Sequence, residues 1–146
     1  MLADVPADAS EVAGRLRLSA TRLARRLRQE AGAGLTPSQL SALAVVDHHG
    51  PVTLGSLADH ERVAPPSVTK VVKKLEADGL VVRHRDPADR RIIWVTTSER
   101  GAALVAESRR RKTAWLAGRI TSLDVDQKRR LTAALDVLDA LTEEHQ

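Results

Sequence analysis

A single change of hydrophobic period constrains this chain more than any other feature. Up to Gly79 the apolar residues recur every three or four positions, as they do along the buried stripe of an α-helix. Then two β-prone runs follow, Leu80-Val81-Val82-Arg83-His84-Arg85 and Arg91-Ile92-Ile93-Trp94-Val95-Thr96, split by Asp86-Pro87-Ala88-Asp89-Arg90. Runs of that length around a turn rich in Asp and Pro spell a β-hairpin. After Thr96 the helical period returns and lasts to the end. The fold class is therefore mainly α with one small hairpin inset, and 146 residues suit a single domain over 1–146.

The helical stretches carry their own punctuation. Ser10 is placed to cap a long first helix reaching about Glu30, with Val12, Leu16, Ala20, Leu23 and Leu27 on one stripe. Its other faces hold Arg15, Arg17, Arg22, Arg25, Arg26 and Arg28, read as a mostly solvated surface. Thr36 and Gln39 form a capping box for a second helix, with Pro37 at its first position and Gly50-Pro51 at its end. Thr53 caps a short third helix. Pro65-Pro66 opens a fourth that runs to about Asp78, with Val68, Val71, Val72 and Leu75 inward. Two prolines are tolerable only in a first helical turn, where the missing donors have no intrahelical partner. Ser98, or Thr96 paired with Glu99, begins a fifth helix, and Asp124 with Gln127 begins the last.

Composition narrows the function classes. There is no Phe and no Tyr, and the aromatics are Trp94 and Trp115, so Leu, Val and Ala must build the interior. Base-stacking platforms for single strands or RNA need exposed aromatics and are disfavoured. The two tryptophans read as core or dimer packing. Zero Cys excludes disulfides, thiolate nucleophiles and Cys-based zinc or redox sensing. The acidic first residues lack a secretory pattern and no apolar run approaches a membrane span, so a cytoplasmic location and no membrane partner are expected. No G-x-S-x-G, G-x-x-x-x-G-K, G-x-G-x-x-G or H-E-x-x-H motif supports an enzyme, and no catalytic residue or cofactor is assigned. His48-His49 invites a metal reading, but neighbours on a helix diverge by about 100° and no spacing makes a site with His60 or His84.

The middle of the chain points to a duplex. Two short helices, a tight turn, a second helix with polar outward positions and a hairpin make a winged helix-turn-helix over about 36–97. Burying the valines and Leu75 leaves Ser67, Thr69, Lys70, Lys73 and Lys74 outward, able to meet base edges or phosphates. Such a helix enters a groove by its N-terminus, so Pro65, Pro66, Ser67 and Thr69 stand closest. From Arg62 to Arg91 there are eight Lys/Arg against four acids, a difference of +4 that equals the net charge of the whole chain. Arg90 and Arg91 at the hairpin tip suit a narrow minor groove, where the potential is most negative.

The residues Val68-Thr69-Lys70 and Lys74-Leu75-Glu76-Ala77-Asp78-Gly79-Leu80-Val81, then Asp86-Pro87-Ala88-Asp89-Arg90-Arg91 and Gly101, resemble the MarR family of bacterial transcriptional regulators. The order of helices matches over nearly the whole chain. Departures are Thr97-Ser98 at the entry to the fifth helix, and Lys73 where some members carry an acid. The resemblance implies an obligate homodimer pinned by terminal helices at about 10–34 and 98–146. It implies binding of pseudo-palindromic double-stranded DNA, usually as a repressor, and a cleft for a small aromatic or phenolic ligand. It also implies that Asp89 orients the wing while Arg91, with Arg90 beside it, reaches the minor groove. Two other readings stay open: a non-specific architectural DNA-binding protein, and a metal-responsive regulator.

Overall fold

The computed structural model describes residues 8–143; residues 1–7, part of the opening stretch read as lacking a secretory pattern, and 144–146, the end of the 98–146 range assigned to terminal helices, lie outside the described residues. In order along the chain stand α1 (Ala9–Glu30), α2 (Pro37–His49), β1 (Val52–Thr53), α3 (Leu54–Glu61), α4 (Pro65–Ala77), β2 (Val81–Arg85), β3 (Ile93–Thr97), α5 (Glu99–Thr121) and α6 (Val125–Thr142). The chain divides into two compact units, Met1–Lys112 and Thr113–Gln146, with the division inside α5.

Local chemistry explains most of the boundaries. Both bonds of the Thr36–Gln39 capping box form, at 3.1 and 3.2 Å. Those of Asp124–Gln127 form at 3.1 and 2.7 Å. Thr53 caps α3 by accepting from the Ser56 amide at 3.0 Å. Ser98, not the Thr96–Glu99 pair, caps α5: its hydroxyl accepts from the Gly101 amide at 3.0 Å and donates to the Gly79 carbonyl at 2.7 Å. Thr96 is held in β3. The cap of α1 is two residues earlier than expected. Asp8 accepts from the Ser10 amide at 3.3 Å, and Ser10 lies within the first turn. A carboxylate there also meets the positive end of the helix dipole, which a hydroxyl does not.

The first unit has an aliphatic core, as the lack of Phe and Tyr requires. Leu43 and Val46 of α2, Leu57 of α3, Val72 and Leu75 of α4, Leu80, Val95 of β3 and Val105 of α5 are fully buried. Each such side chain contributes about 1.5–3 kcal/mol, enough together to fix α4 while its outer face stays polar. The strands form one antiparallel sheet in the order β1-β3-β2, with Val81 opposite Thr97 and Arg85 opposite Ile93. The strand β1 was not expected. It pairs Val52 with Val95 and Thr53 with Trp94, making β3 the central strand. The hairpin loop spans 86–92 instead of 86–90, because the Ile92 amide turns back to the Asp89 carbonyl, leaving the Asp86 amide–Ile92 carbonyl bond as the last link across the two strands. Gly101 is needed where it stands: a Cβ would run into the Leu80 carbonyl oxygen.

Neither α1 nor α6 contains a buried residue. Val12, Leu18 and Leu23 are exposed on α1, and Val125, Leu135, Val137, Leu138 and Leu141 on α6. Trp115, in the second unit, is half-buried with the Arg119 guanidinium 5.4 Å from its ring centre. Among the described residues no helix is long and apolar enough to cross a membrane.

Candidate nucleic-acid interface

The start of α4 needs no side-chain cap. Its first two positions are Pro65 and Pro66, which have no amide hydrogen to satisfy, and the Ser67 amide donates to the Ala64 carbonyl at 3.0 Å. With Val68, Val72 and Leu75 buried, a rotation of about 100° per residue turns Pro66, Lys70 and Lys73 directly outward. Ser67 and Lys74 flank that face on one side, Pro65 and Thr69 on the other. All are exposed except Thr69, which is half-buried. The Thr69 hydroxyl donates to the Pro65 carbonyl at 3.1 Å, so it meets an incoming group as an acceptor. Lys74 reaches Asp78 at 3.2 Å.

The hairpin tip is built on two carboxylates. Oδ1 of Asp86 accepts from the amides of Ala88 and Asp89 at 2.8 and 3.0 Å, and Oδ2 accepts from the Trp94 indole at 2.9 Å. Asp89 then holds Arg91 in a fork, accepting from Nε and from the terminal guanidinium nitrogen at 3.0 Å each, and also from the Arg91 amide at 3.1 Å. The Trp94 bond, followed by the two amides, holds the Asp86 carboxyl below the usual range; the Arg91 guanidinium does the same for Asp89. Arg91 is 90% exposed even so. Arg90 is exposed, and its carbonyl accepts from Arg85 at 3.4 Å.

A second fork joins the helix to the hairpin. Arg83 of β2 donates through Nε and a terminal nitrogen to the two Glu76 oxygens of α4, each at 3.0 Å. Bonding to Arg83 lowers the Glu76 pKa against the opposing effect of desolvation. Lys74, Arg83 and Arg91 therefore have carboxylate partners, while Arg62, Lys70, Lys73, Arg85 and Arg90 form no ion pair among the described residues. The uncompensated charge lies on the outer face of α4, the hairpin and the turn before α4.

Sequence reasoning thus placed Pro65, Pro66, Ser67, Thr69, Lys70, Lys73 and Lys74 on one helix and Asp89, Arg90 and Arg91 on one loop. It missed Glu76, Arg83, Asp86 and Trp94, which hold those two pieces in shape. The Asp86–Trp94 contact becomes readable only once the β2–β3 register is known.

Two other features belong to the first unit. His49 stacks on His60 with ring centres 4.3 Å apart and meets His48 edge-on at 4.8 Å. Lost hydration, then the charges of His60 and His48, lower the His49 pKa. Among the described residues no three His, Cys, Asp or Glu side chains are grouped to hold a metal ion. A cavity of about 680 Å³ is lined by Arg28, Leu40, Val45, His48, His49 and Lys112 among others, with no acidic residue in its wall.

A family model described as MarR family matches residues 35–93, from the residue before the α2 cap to the start of β3. An HTH-type transcriptional regulator of Mycobacterium bovis is 40% identical over 136 residues, 92% of this chain and 95% of the relative. The chain belongs to the MarR family. As a MarR-family protein it is a DNA-binding transcriptional regulator, and the family is one of regulators, not enzymes. Its fold agrees: the crystal structure of a transcriptional regulator from Pseudomonas aeruginosa is 34% identical, with a TM-score of 0.81 over 92% of this chain and 96% of that one. A Staphylococcus aureus MepR variant bound to an oligodeoxyribonucleotide shares the fold at 18% identity, with a TM-score of 0.69 over 90% of this chain and 98% of that one.

Proposed function

We propose that this MarR-family chain acts as a homodimeric repressor of a pseudo-palindromic operator and is released by a small ligand. The carrying observation is the Glu76–Arg83 fork, which ties the polar face of α4 to a hairpin with an uncompensated basic charge. Pro65, Pro66, Ser67 and Thr69 stand nearest the base edges in the major groove, and Lys70, Lys73 and Lys74 reach guanine acceptors or phosphates. Asp89 presents Arg91, with Arg90 beside it, to the minor groove. The oligonucleotide-bound MepR variant, of the same fold, is consistent with this arrangement.

Dimerisation is supported by the uncovered apolar residues of α1 and α6, which pairing would bury. Two copies related by a twofold axis would set their α4 helices about 34 Å apart, one turn of the duplex. The acid-free, cationic cavity supports an aromatic or phenolic ligand carrying negative charge. Its binding would shift the population of dimers whose lobes are spaced for DNA.

Selection of bound fragments from a random-sequence duplex pool tests this reading. The expected product is a palindrome whose half-sites lie about one helical turn apart, bound by a species that sediments as a dimer. Fragments without a shared motif would instead favour the architectural reading.

A further inference from the structure

Trp94 reaches the loop from the sheet. It sits in the central strand β3, paired with Thr53 on one side and His84 on the other, while its indole N–H crosses eight residues back to Asp86. No other side chain among the described residues hydrogen-bonds the Asp86 carboxylate, whose remaining hydrogen bonds come from amides of its own loop, with the charge of His84 acting on it from β2. The chain of fixed positions then runs from the Trp94 indole to Asp86, to the Ala88 and Asp89 amides, to the Asp89 carboxylate and to the Arg91 guanidinium. Cut at its first link, the loop keeps its internal turn, the Asp86 amide–Ile92 carbonyl bond and the Arg85 bond to the Arg90 carbonyl, but the Asp86 carboxylate that organises the turn loses its tie to the central strand β3.

We propose that the Trp94–Asp86 pair is a positioning device for the wing, setting where Arg91 enters the minor groove and hence the sequence preference at the outer edges of the operator. This rests on the reading of Arg91 as the minor-groove contact. Trp94 itself touches no DNA. Its effect travels through Asp86, because a loop that swings about the ends of β2 and β3 spreads the guanidinium over many depths of the groove. The carboxylate suits the task because it is charged while still accepting three hydrogen bonds, and bonds to an ionised acceptor are the stronger kind.

The experiment uses the duplex that the wild-type protein selects from a random pool, varied at the positions flanking each half-site. An A·T pair is changed to G·C, which puts an amino group into the minor groove, or to I·C, which does not. Wild-type protein should bind the I·C duplex like the A·T one and the G·C duplex several-fold more weakly. Trp94→Phe keeps a ring but loses the donor. It should bind the selected duplex about tenfold more weakly and lose the G·C against I·C distinction, while substitutions facing α4 are discriminated as before. A protein merely loosened in its fold would weaken all duplexes alike. Asp86→Asn should reproduce the same pattern and serves if the Phe variant does not fold. Retention of both affinity and flank distinction by either folded variant overturns the proposal. If wild type itself ignores the flank and Arg91→Ala binds unchanged, the minor-groove reading fails, and this proposal with it.

Discussion

Glu76 on α4 and Arg83 on β2 face each other through two parallel hydrogen bonds of 3.0 Å. The pair spans the corner between the helix that would read the major groove and the strand that carries the wing. Its value as stability is small, because both side chains are partly exposed and solvent screens them. Its value as geometry is larger, since a planar fork fixes an angle that a point charge cannot. Arg83→Ala should therefore leave thermal stability within about 1 kcal/mol of wild type while weakening DNA binding distinctly. Arg83→Lys should recover the charge without fully recovering affinity. Melting curves beside binding titrations check both.

The cations of the interface separate by what they lack. Lys73 faces outward with no ion pair, so Lys73→Ala should weaken all duplexes about equally and reduce the salt slope by about one. Ser67→Ala should instead relax preference at one base pair, by about 1–3 kcal/mol. Arg91→Ala should cost more than Arg90→Ala, because it leaves the Asp89 carboxylate facing the phosphates alone. Titrations at several salt concentrations distinguish the three classes.

Gly101 packs against the Leu80 carbonyl at the point where α5 starts, so Gly101→Ala must push backbone aside. A loss of about 1–3 kcal/mol is expected, read as a lowered melting temperature without DNA. Gly55 in α3 faces open space, and Gly55→Ala should raise stability by up to about 1 kcal/mol.

These features differ in how far the sequence alone reveals them. The caps at Thr36, Thr53 and Asp124 were legible because each bond spans three residues and needs no knowledge of the fold, whereas the choice of Ser98 over Thr96 for α5 depends on Thr96 being held in β3. The outward face of α4 was legible for the same reason, since helical period alone separates Val68 and Val72 from Lys70 and Lys73. Asp8 and Ser10 are both good caps two residues apart, and pattern alone did not choose between them. Strand β1 is too short to carry a period, and its pairing with Val95 and Trp94 belongs to the folded chain. Trp94 was read as packing because its apolar bulk is visible in sequence, whereas the direction of its N–H depends on register. The Glu76–Arg83 fork is hidden likewise, because it forms across a turn whose angle Gly79 and the α5 cap set together.

Acidification should destabilise the chain in two steps. With the His49 pKa below its ordinary value, the folded state holds fewer protons than the unfolded one as pH falls through about 6.5, so stability declines there and levels off below the folded pKa. The lowered pKa values of Glu76, Asp86, Asp89 and Glu107 act in a second window: their contribution is present above about pH 4 and is lost as pH falls through their folded values. His49→Gln should remove the first step and leave the second. Denaturant unfolding at a series of pH values measures both.

The central claim is that α4 and the wing read sequence in double-stranded DNA. The direct measurement is the affinity of the wild-type protein for its selected duplex against an unrelated duplex of equal length at physiological salt. A sequence-reading dimer should prefer its own site by roughly 10³-fold or more. A ratio near one, with both affinities falling alike as salt rises, would contradict the account.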